Sequence, residues 1–296
     1  MIHKQRSGRV SFRQVRLNVV ACAMVACSSV ASDGQEVLHQ FTTDTPPQGF
    51  GTVLAAAGDI DGDGVGDVVI GAHLDSTTVQ KAGRFSAYSG KDGAHLFTVH
   101  GLGFQHYLGS SVAGVGDVNA DGFCDVAGGA PYAEVWPAVN RGLVRVASGR
   151  DGVVLADYCG DVDGDFLGSG VSNAGDLDHD GRDDVLACAQ SFSLDTGKAF
   201  VRVYSGADGS TLLNSFGDPS GGTFFIKESV TGLGDIDGDQ TRDVLVGGNG
   251  FRALSGATGA VLYTYTEVGA YFFKTWSVPD VDGDGLRDFV SGNYQD

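Results

Sequence analysis

Asp59-Ile60-Asp61-Gly62-Asp63-Gly64-Val65-Gly66-Asp67 sets carboxylates at positions 1, 3, 5 and 9 of nine residues. A hard cation such as calcium takes ~6–8 oxygen ligands at ~2.3–2.6 Å in a flexible shell, and this spacing of oxygens suits one. The stretch recurs as Asp176-Leu177-Asp178-His179-Asp180-Gly181-Arg182-Asp183-Asp184, Asp235-Ile236-Asp237-Gly238-Asp239-Gln240-Thr241-Arg242-Asp243 and Asp280-Val281-Asp282-Gly283-Asp284-Gly285-Leu286-Arg287-Asp288. A further copy, Asp117-Val118-Asn119-Ala120-Asp121-Gly122-Phe123-Cys124-Asp125, trades one carboxylate for an amide. In chain order the five starts are 58, 59, 59 and 45 residues apart. Acidic loops at a long regular period indicate a repeat architecture with one ion per repeat, so up to five Ca2+ are expected.

The nearest decoy is the EF-hand, which needs a bidentate Glu at position 12 and flanking helices. Position 12 here is Ile70, Gly128, Ala187, Val246 or Ser291, so the acid that closes the shell is at position 9. Val68-Val69-Ile70-Gly71 follows Asp67, and Val244-Leu245-Val246-Gly247 follows Asp243. Short β-branched, Gly-bounded runs of this kind are strands, which places each loop in a β-hairpin. A plain Asp-Gly turn is the alternative, since both residues dominate turns. Against it, close carboxylates repel by roughly 3–4 kcal/mol per pair at an effective dielectric near 20. Gln240 stands where Gly permits the sharp turn and the Asn119 loop carries less charge, so loops 4 and 2 rank below loops 1, 3 and 5.

Aligning the copies extends the repeat. Stretches rich in Gly, Ala and Ser precede the loops, as in Phe50–Gly58, Leu108–Gly116 and Leu167–Gly175. Such strands are poor by propensity but fit where backbones crowd, as on the innermost strand of a propeller blade. A second strand follows each loop, then an alternating third strand, as in Gly83–Gly90, Leu143–Gly149 and Phe200–Gly206. Asp92-Gly93, Asp151-Gly152 and Asp208-Gly209 supply the hairpin turn to a fourth strand such as His95–Val99. Four antiparallel strands per ~59 residues make one blade. The predicted fold is all-β: a β-propeller with four complete four-stranded blades, a partial fifth, and a calcium loop between strands 1 and 2 of each.

The chain resembles the FG-GAP repeat family, found in the integrin alpha-subunit N-terminal β-propeller and in many bacterial secreted proteins. Phe50-Gly51 and Gly129-Ala130-Pro131 are the name-giving motifs, and the similarity covers nearly everything after residue 32. The resemblance implies that position 7 adds its backbone carbonyl to the side chains at positions 1, 3, 5 and 9, which brings in Val65, Phe123, Arg182, Thr241 and Leu286. Ile226-Lys227 and Tyr271-Phe272 replace Phe-Gly, and Cys188 replaces a Gly of the second motif, so close kinship with integrins does not follow.

Residues 1–31 carry Lys4, Arg6, Arg9, Arg13 and Arg16 without an acid, then an apolar run from Leu17 to Cys27. Ser29-Val30-Ala31 completes a secretory signal peptide, giving a leader over 1–31 and a propeller over 32–296. Cleavage before Cys27, within the lipobox-like Met24-Val25-Ala26-Cys27, is the other reading and would leave a lipid anchor. The run is too short to span a membrane. Losing the leader shifts the net charge from −18 to −23, and nineteen of the thirty-seven acids are loop ligands. Acidity of that degree argues against a nucleic-acid partner, which needs clustered basic residues. Cys124, Cys159 and Cys188 remain, an odd number that precludes a full disulfide framework.

Ser32–Phe41 aligns with the Asp-Gly turn and fourth strand of the other repeats, and the fifth repeat stops after its second strand. Either the ring closes with five blades, one deficient, or the chain is the front part of a longer propeller. Enzyme motifs are missing: there is no Gly-x-Ser-x-Gly elbow, Walker loop or His-Glu-x-x-His. His95, His100 and His106 have no spacing that suits zinc, and Asp161-Val162-Asp163-Gly164-Asp165 reads as a solvated acidic turn. The resemblance implies that loops 72–81, 131–140 and 190–196 fall on the face opposite the acidic loops, and the middle one holds Tyr132 and Trp136. Aromatics on loops stack on sugars or anchor a protein partner. The expected function is that of an exported calcium-binding adhesion or interaction module with a protein or glycan ligand, secreted or held at the cell surface. The alternative is a non-catalytic scaffold or fragment of a larger surface protein or polysaccharide-acting enzyme.

Overall fold

The computed structural model describes residues 2–6, 9–13, 39–41, 48–134, 140–190, 199–216, 226–248, 250–266, 273–278, 280–281, 283 and 287–293. Every regular element among them is a β-strand. No helix among the described residues is long and apolar enough to cross a membrane. The basic start of the chain forms a hairpin of β1 (Ile2–Arg6) and β2 (Arg9–Arg13), and the apolar run that follows it lies outside the described residues.

Four antiparallel four-stranded sheets succeed one another, each a meander in chain order. They comprise β3 (Phe50–Gly58), β4 (Asp67–Ala72), β5 (Arg84–Tyr88) and β6 (His95–His100); β7 (Ser111–Gly116), β8 (Asp125–Ala130), β9 (Leu143–Ala147) and β10 (Val154–Cys159); β11 (Leu167–Gly175), β12 (Asp184–Ala189), β13 (Phe200–Tyr204) and β14 (Thr211–Phe216); and β15 (Ile226–Gly232), β16 (Val244–Gly248), β17 (Gly250–Leu254) and β18 (Val261–Thr266). β19 (Phe273–Val278) then pairs with β20 (Asp288–Asn293).

The first strands β3, β7, β11, β15 and β19 pack in succession, each against the next, which is the arrangement of propeller blades. Their small residues answer to that crowding. A Cβ on Gly114 of β7 would lie 2.8 Å from the Ala56 carbonyl oxygen, and one on Gly232 of β15 would lie 2.4 Å from that of Asn173. The core sits between sheets rather than within them. Val69, Phe85, Val112 and Val126 fill the first junction, Ala127, Val146, Val171 and Ala187 the second, and Leu186, Val201, Val230 and Val246 the third.

Strand 3 also ties neighbouring blades together. Arg145 on β9 donates to the His100 carbonyl of the blade before at 3.0 Å while pairing with Asp157 at 2.6 Å. Arg202 on β13 reaches back in the same way to Asp161 at 2.7 Å. The acidic turn at 161–165 is therefore not merely solvated. Asp165 is buried and accepts from the Asp161 and Val162 amides, which presents Asp161 to Arg202 across the blade junction. A partner 41 residues downstream leaves no mark on the local sequence.

Residues 39–41 lie against the first blade. His39 contacts the Gly90 carbonyl at 2.9 Å and covers Gly93, as Phe97 covers Gly152 and Tyr158 covers Gly209. The segment thus holds the place that a fourth strand holds against the blade after it, in keeping with the register of 32–41.

Candidate metal loops

Each acidic loop links strands 1 and 2 of its sheet and is built mainly from its own backbone. Position 1 gathers the turn: Asp59 accepts from the amides of Gly62, Asp63 and Gly64 at 2.8–3.1 Å. Asp117 accepts from Asp121 and Gly122, Asp176 from Asp180 and Gly181, and Asp235 from Gly238, Asp239 and Gln240. Position 5 accepts the position-7 amide in loops 1 to 4 at 2.8–3.0 Å, which holds Val65, Phe123, Arg182 and Thr241 in place. Positions 4 and 6 take the left-handed backbone. Gly64, Gly122 and Gly181 have φ of 85°, 88° and 90° at position 6, and Gln240 follows them at 73°. The amides that converge on the carboxylates offset part of the repulsion expected from the sequence.

Position 9 does a different job. Asp67, Asp125, Asp184 and Asp243 are buried, and in each one oxygen accepts the position-2 amide at 2.7–2.9 Å. The other oxygen accepts the amide of Gly90, Gly149, Gly206 or Gly256 at 2.8–3.0 Å. Each of those glycines follows a serine at the end of strand 3, as Ser89-Gly90 does. A Cβ there would come within 1.8–2.4 Å of the position-8 carbonyl oxygen, so only glycine fits. The four Ser-Gly pairs hold the position-9 carboxylates, which the loop motif alone does not reveal; the recurrence of their glycines 22–24 residues after the position-9 acid in the first three repeats is the signal that finds them.

Burial sets the electrostatics. It pushes the carboxyls of Asp125, Asp184 and Asp243 up to about 6, against the pull of the amides they accept. Asp61 is raised as well, by burial first and then by the charges of Asp67, Asp63 and Asp59. Carboxylates held at this cost are favoured as anions once a cation joins them.

The structure brings together oxygens of Asp59, Asp61 and Asp67 in loop 1, of Asp176, Asp178 and Asp184 in loop 3, and of Asp235, Asp237 and Asp239 in loop 4, each set within 4.8 Å. Loop 1 therefore converges through positions 1, 3 and 9, and loop 4 through 1, 3 and 5. Asp63 faces Lys91 at 3.8 Å, and in loop 2 the Asn119 amide donates to Asp121 at 3.2 Å. Asp180 and Asp121 accept backbone amides as the position-5 acids of their loops. In loop 5, Asp288 accepts from Val281 and Asp280 from Gly283, while Asp282, Asp284 and Leu286 lie outside the described residues. Donor sets made only of oxygen fit a hard divalent cation rather than a thiolate- or imidazole-seeking metal. No histidine or cysteine belongs to such a set among the described residues, and Cys124, Cys159 and Cys188 are free thiols.

Tyr132 lies beyond the far end of β8, away from the acidic loop. It is partly exposed and sits between Tyr107 and Phe166, with ring centroids 5.3 and 5.4 Å away, both edge to face. Tyr132 is thus part of an aromatic row across successive blades rather than an isolated loop residue. Trp136 lies outside the described residues.

Residues 50–88, the first blade from β3 to the end of β5, match the FG-GAP repeat family. The chain is 32% identical to integrin alpha-5 of Xenopus laevis over 177 residues, which is 54% of this chain and 16% of that protein. It is 30% identical to integrin alpha pat-2 of Caenorhabditis elegans over 232 residues, 71% of this chain and 18% of that protein. These matches span less than a fifth of the length of either relative. Among solved structures, a rhamnogalacturonan lyase superposes with a TM-score of 0.51 at 18% identity, over 82% of this chain and 47% of the lyase. At that identity the likeness speaks for the fold alone.

Proposed function

Since this chain belongs to the FG-GAP repeat family and its blades are integrin alpha-like, we propose that it is an exported, non-catalytic interaction module whose propeller is stabilised by calcium. The observation that carries the cation is the convergence of three carboxylates within 4.8 Å in loops 1, 3 and 4. In this reading the side chains at positions 1, 3, 5 and 9 and the position-7 carbonyl surround one ion per loop, and the amide that fixes position 7 turns its carbonyl inward. The ion is structural. It draws strand 1, strand 2 and, through position 9 and the Ser-Gly amide, the end of strand 3 onto one point.

The leader at 1–31 sends the protein out of the cytoplasm, where calcium is abundant enough for sites of the ~10⁻⁴–10⁻³ M class to fill. A partner, protein or glycan, binds on the face opposite the calcium loops, with Tyr132 and Trp136 as the contact residues. Function tends to settle on loops carried by a rigid scaffold, and rigid aromatics give much contact area for little lost entropy.

Calorimetric titration of the metal-free chain with Ca2+ tests the cation reading. Saturable binding that Asp59→Ala and Asp176→Ala each reduce by about one site is expected. No heat and no change in melting up to ~10 mM Ca2+, well above the range of extracellular sites, would sink it. Glycan and protein arrays probed with the wild type and Trp136→Ala test the contact face: attachment lost with the fold and calcium stoichiometry intact supports it, and no attachment by the wild type removes it.

A further inference from the structure

The acidic loops do not stand alone: the residue at position 8 of each lies against the loop before it. Gly58, Gly116, Gly175 and Gly234 immediately precede position 1 of loops 1 to 4. A Cβ on the first three would fall 2.0–2.5 Å from Cys124 Sγ, Asp183 Oδ2 and Arg242 Cδ respectively, and one on Gly234 would meet Arg287 at 3.8 Å. Position 8 of loops 2, 3, 4 and 5 thus covers the entry to loops 1, 2, 3 and 4. The backbone follows the side chain at two of these places. The Cys124 amide donates to the Asp59 carbonyl at 3.3 Å, and the Asp183 amide to the Asp117 carbonyl at 3.1 Å.

Asp183 goes further than the others. Its carboxylate accepts the Asp117 amide at 3.1 Å, so position 1 of loop 2 is gripped from the next blade through both its N–H and its C=O. Asp117 is the residue whose own carboxylate gathers the Asp121 and Gly122 amides into the turn. Asp183 is half-buried, and none of the ion pairs among the described residues includes it.

The covering side chain tracks the charge of the loop beneath it. Loops 1, 3 and 4 carry four carboxylates each and are covered by a thiol, by Arg242 and by Arg287. Loop 2 has three, because Asn119 stands at position 3, and among these four loops it alone is covered by an acid.

We propose that Asp183 is a positioning and affinity-determining residue of loop 2: it supplies from the neighbouring blade the negative charge that Asn119 leaves out. The proposal rests on the calcium reading above and adds a residue outside the formula of positions 1, 3, 5, 7 and 9 of a loop's own sequence. Two effects act together. The double hydrogen bond fixes the Asp117 backbone, and the unpaired carboxylate raises the negative potential that draws a divalent cation to loop 2.

Site-resolved NMR during a calcium titration of the full chain tests this. The Gly122 and Gly181 amides serve as reporters, since each donates to the position-1 carboxylate of its own loop at 2.9 Å. Both should respond saturably in the wild type. Asp183→Asn keeps an acceptor for the Asp117 amide and removes the charge, so the Gly122 midpoint should rise roughly 10-fold and the Gly181 midpoint by less. Adding Asn119→Asp should bring the Gly122 midpoint back, because the fourth carboxylate is then within the loop; a residue that only caps an amide would show no such compensation. Circular dichroism checks the fold of each variant, and Asp183→Ser replaces Asp183→Asn if that variant misfolds. A Gly122 midpoint unmoved by the loss of Asp183, or a loss that Asn119→Asp does not restore, overturns the proposal. So does a loop 2 that stays empty while loop 3 fills, and in each of these cases the calcium reading stands. If neither amide responds to calcium, the calcium reading falls and the proposal falls with it.

Discussion

The third blade and the terminal hairpin carry the same nine-residue loop in different surroundings. In the third blade Asp184 is fully buried and accepts two amides, from Leu177 in its own loop and from Gly206 beyond strand 3. In the hairpin Asp288 still accepts the Val281 amide at 2.7 Å, but among the described residues no Ser-Gly turn supplies it with a second donor. Leu177 at position 2 is buried, whereas Val281 is 60% exposed. The loop's internal geometry is therefore local, encoded in nine residues. Its anchoring is not: that depends on a third strand and on a blade packed to either side.

Removing the cation should have the largest effect and should fall on the anchored loops. At tenfold excess of calcium over the dissociation constant, each filled site adds ~1.4 kcal/mol, and several sites together approach the ~5–15 kcal/mol stability of a whole domain. EDTA should lower the melting temperature sharply. Hydrogen exchange should rise at the starts of β4, β8, β12 and β16, where one buried carboxylate lies beside the other acids of its loop, more than at β20. An unchanged calorimetric melt in EDTA, or exchange confined to the hairpin, would break the comparison.

Next comes position 9 itself. Asp184→Ala strands two buried amides, each costing ~1–3 kcal/mol, so the loss should be about 2–5 kcal/mol. Asp288→Ala at the half-open hairpin should cost about half as much or less, since the amide it strands belongs to the exposed Val281. Denaturant melts of the two variants decide the matter, and equal losses contradict the distinction between local geometry and anchoring.

Legibility in the sequence follows the same division. The loops, their period and the order of strands could be read because the interactions that define them lie within ten residues or repeat at a fixed distance. β3, β11 and the Asp-Gly turns fall where the pattern puts them. What could not be read is the wiring between distant segments: the Gly206 amide on Asp184, the Arg202 pairing with Asp161, and the packing of Tyr132 between Tyr107 and Phe166. Each joins residues whose types are unremarkable where they stand. The proposed ligand set is a formula of positions, and only part of it converges among the described residues, three acids in each of loops 1, 3 and 4. Which oxygens meet depends on local competition, such as Lys91 drawing on Asp63.

The pH response sharpens the contrast between the metal-free and the calcium-bound chain. Burial holds the Asp125, Asp184 and Asp243 carboxyls at about 6 in the folded state, above their unfolded values near ~3.9. A raised folded value means that the folded form binds more protons, so the stabilisation is full below the unfolded value and is lost as pH rises through about 6. Without metal, the melting temperature should fall between pH ~4 and pH ~7 on account of these three groups. Saturating calcium favours the ionised form and should flatten or reverse that slope. A metal-free melt that rises over the same interval would show that other groups dominate.

The smallest expected effect isolates the backbone of a single loop. Gln240 holds φ at 73° at position 6, where Gly64, Gly122 and Gly181 hold 85–90°. A side chain in the left-handed region costs roughly 1–2 kcal/mol, and glycine removes that cost while giving back some through its freer unfolded chain. Gln240→Gly should therefore stabilise by about 0.5–1 kcal/mol. Gly64→Ala should destabilise by a similar amount, because a Cβ there meets nothing within 4 Å and the penalty is conformational alone. The pair should be nearly mirror images in denaturant melts of the metal-free chain. Calcium affinity at loop 4 should rise with Gln240→Gly if the strained turn holds Asp239 away from its best position. If affinity stays constant while stability rises, the strain is borne by the fold and not by the site.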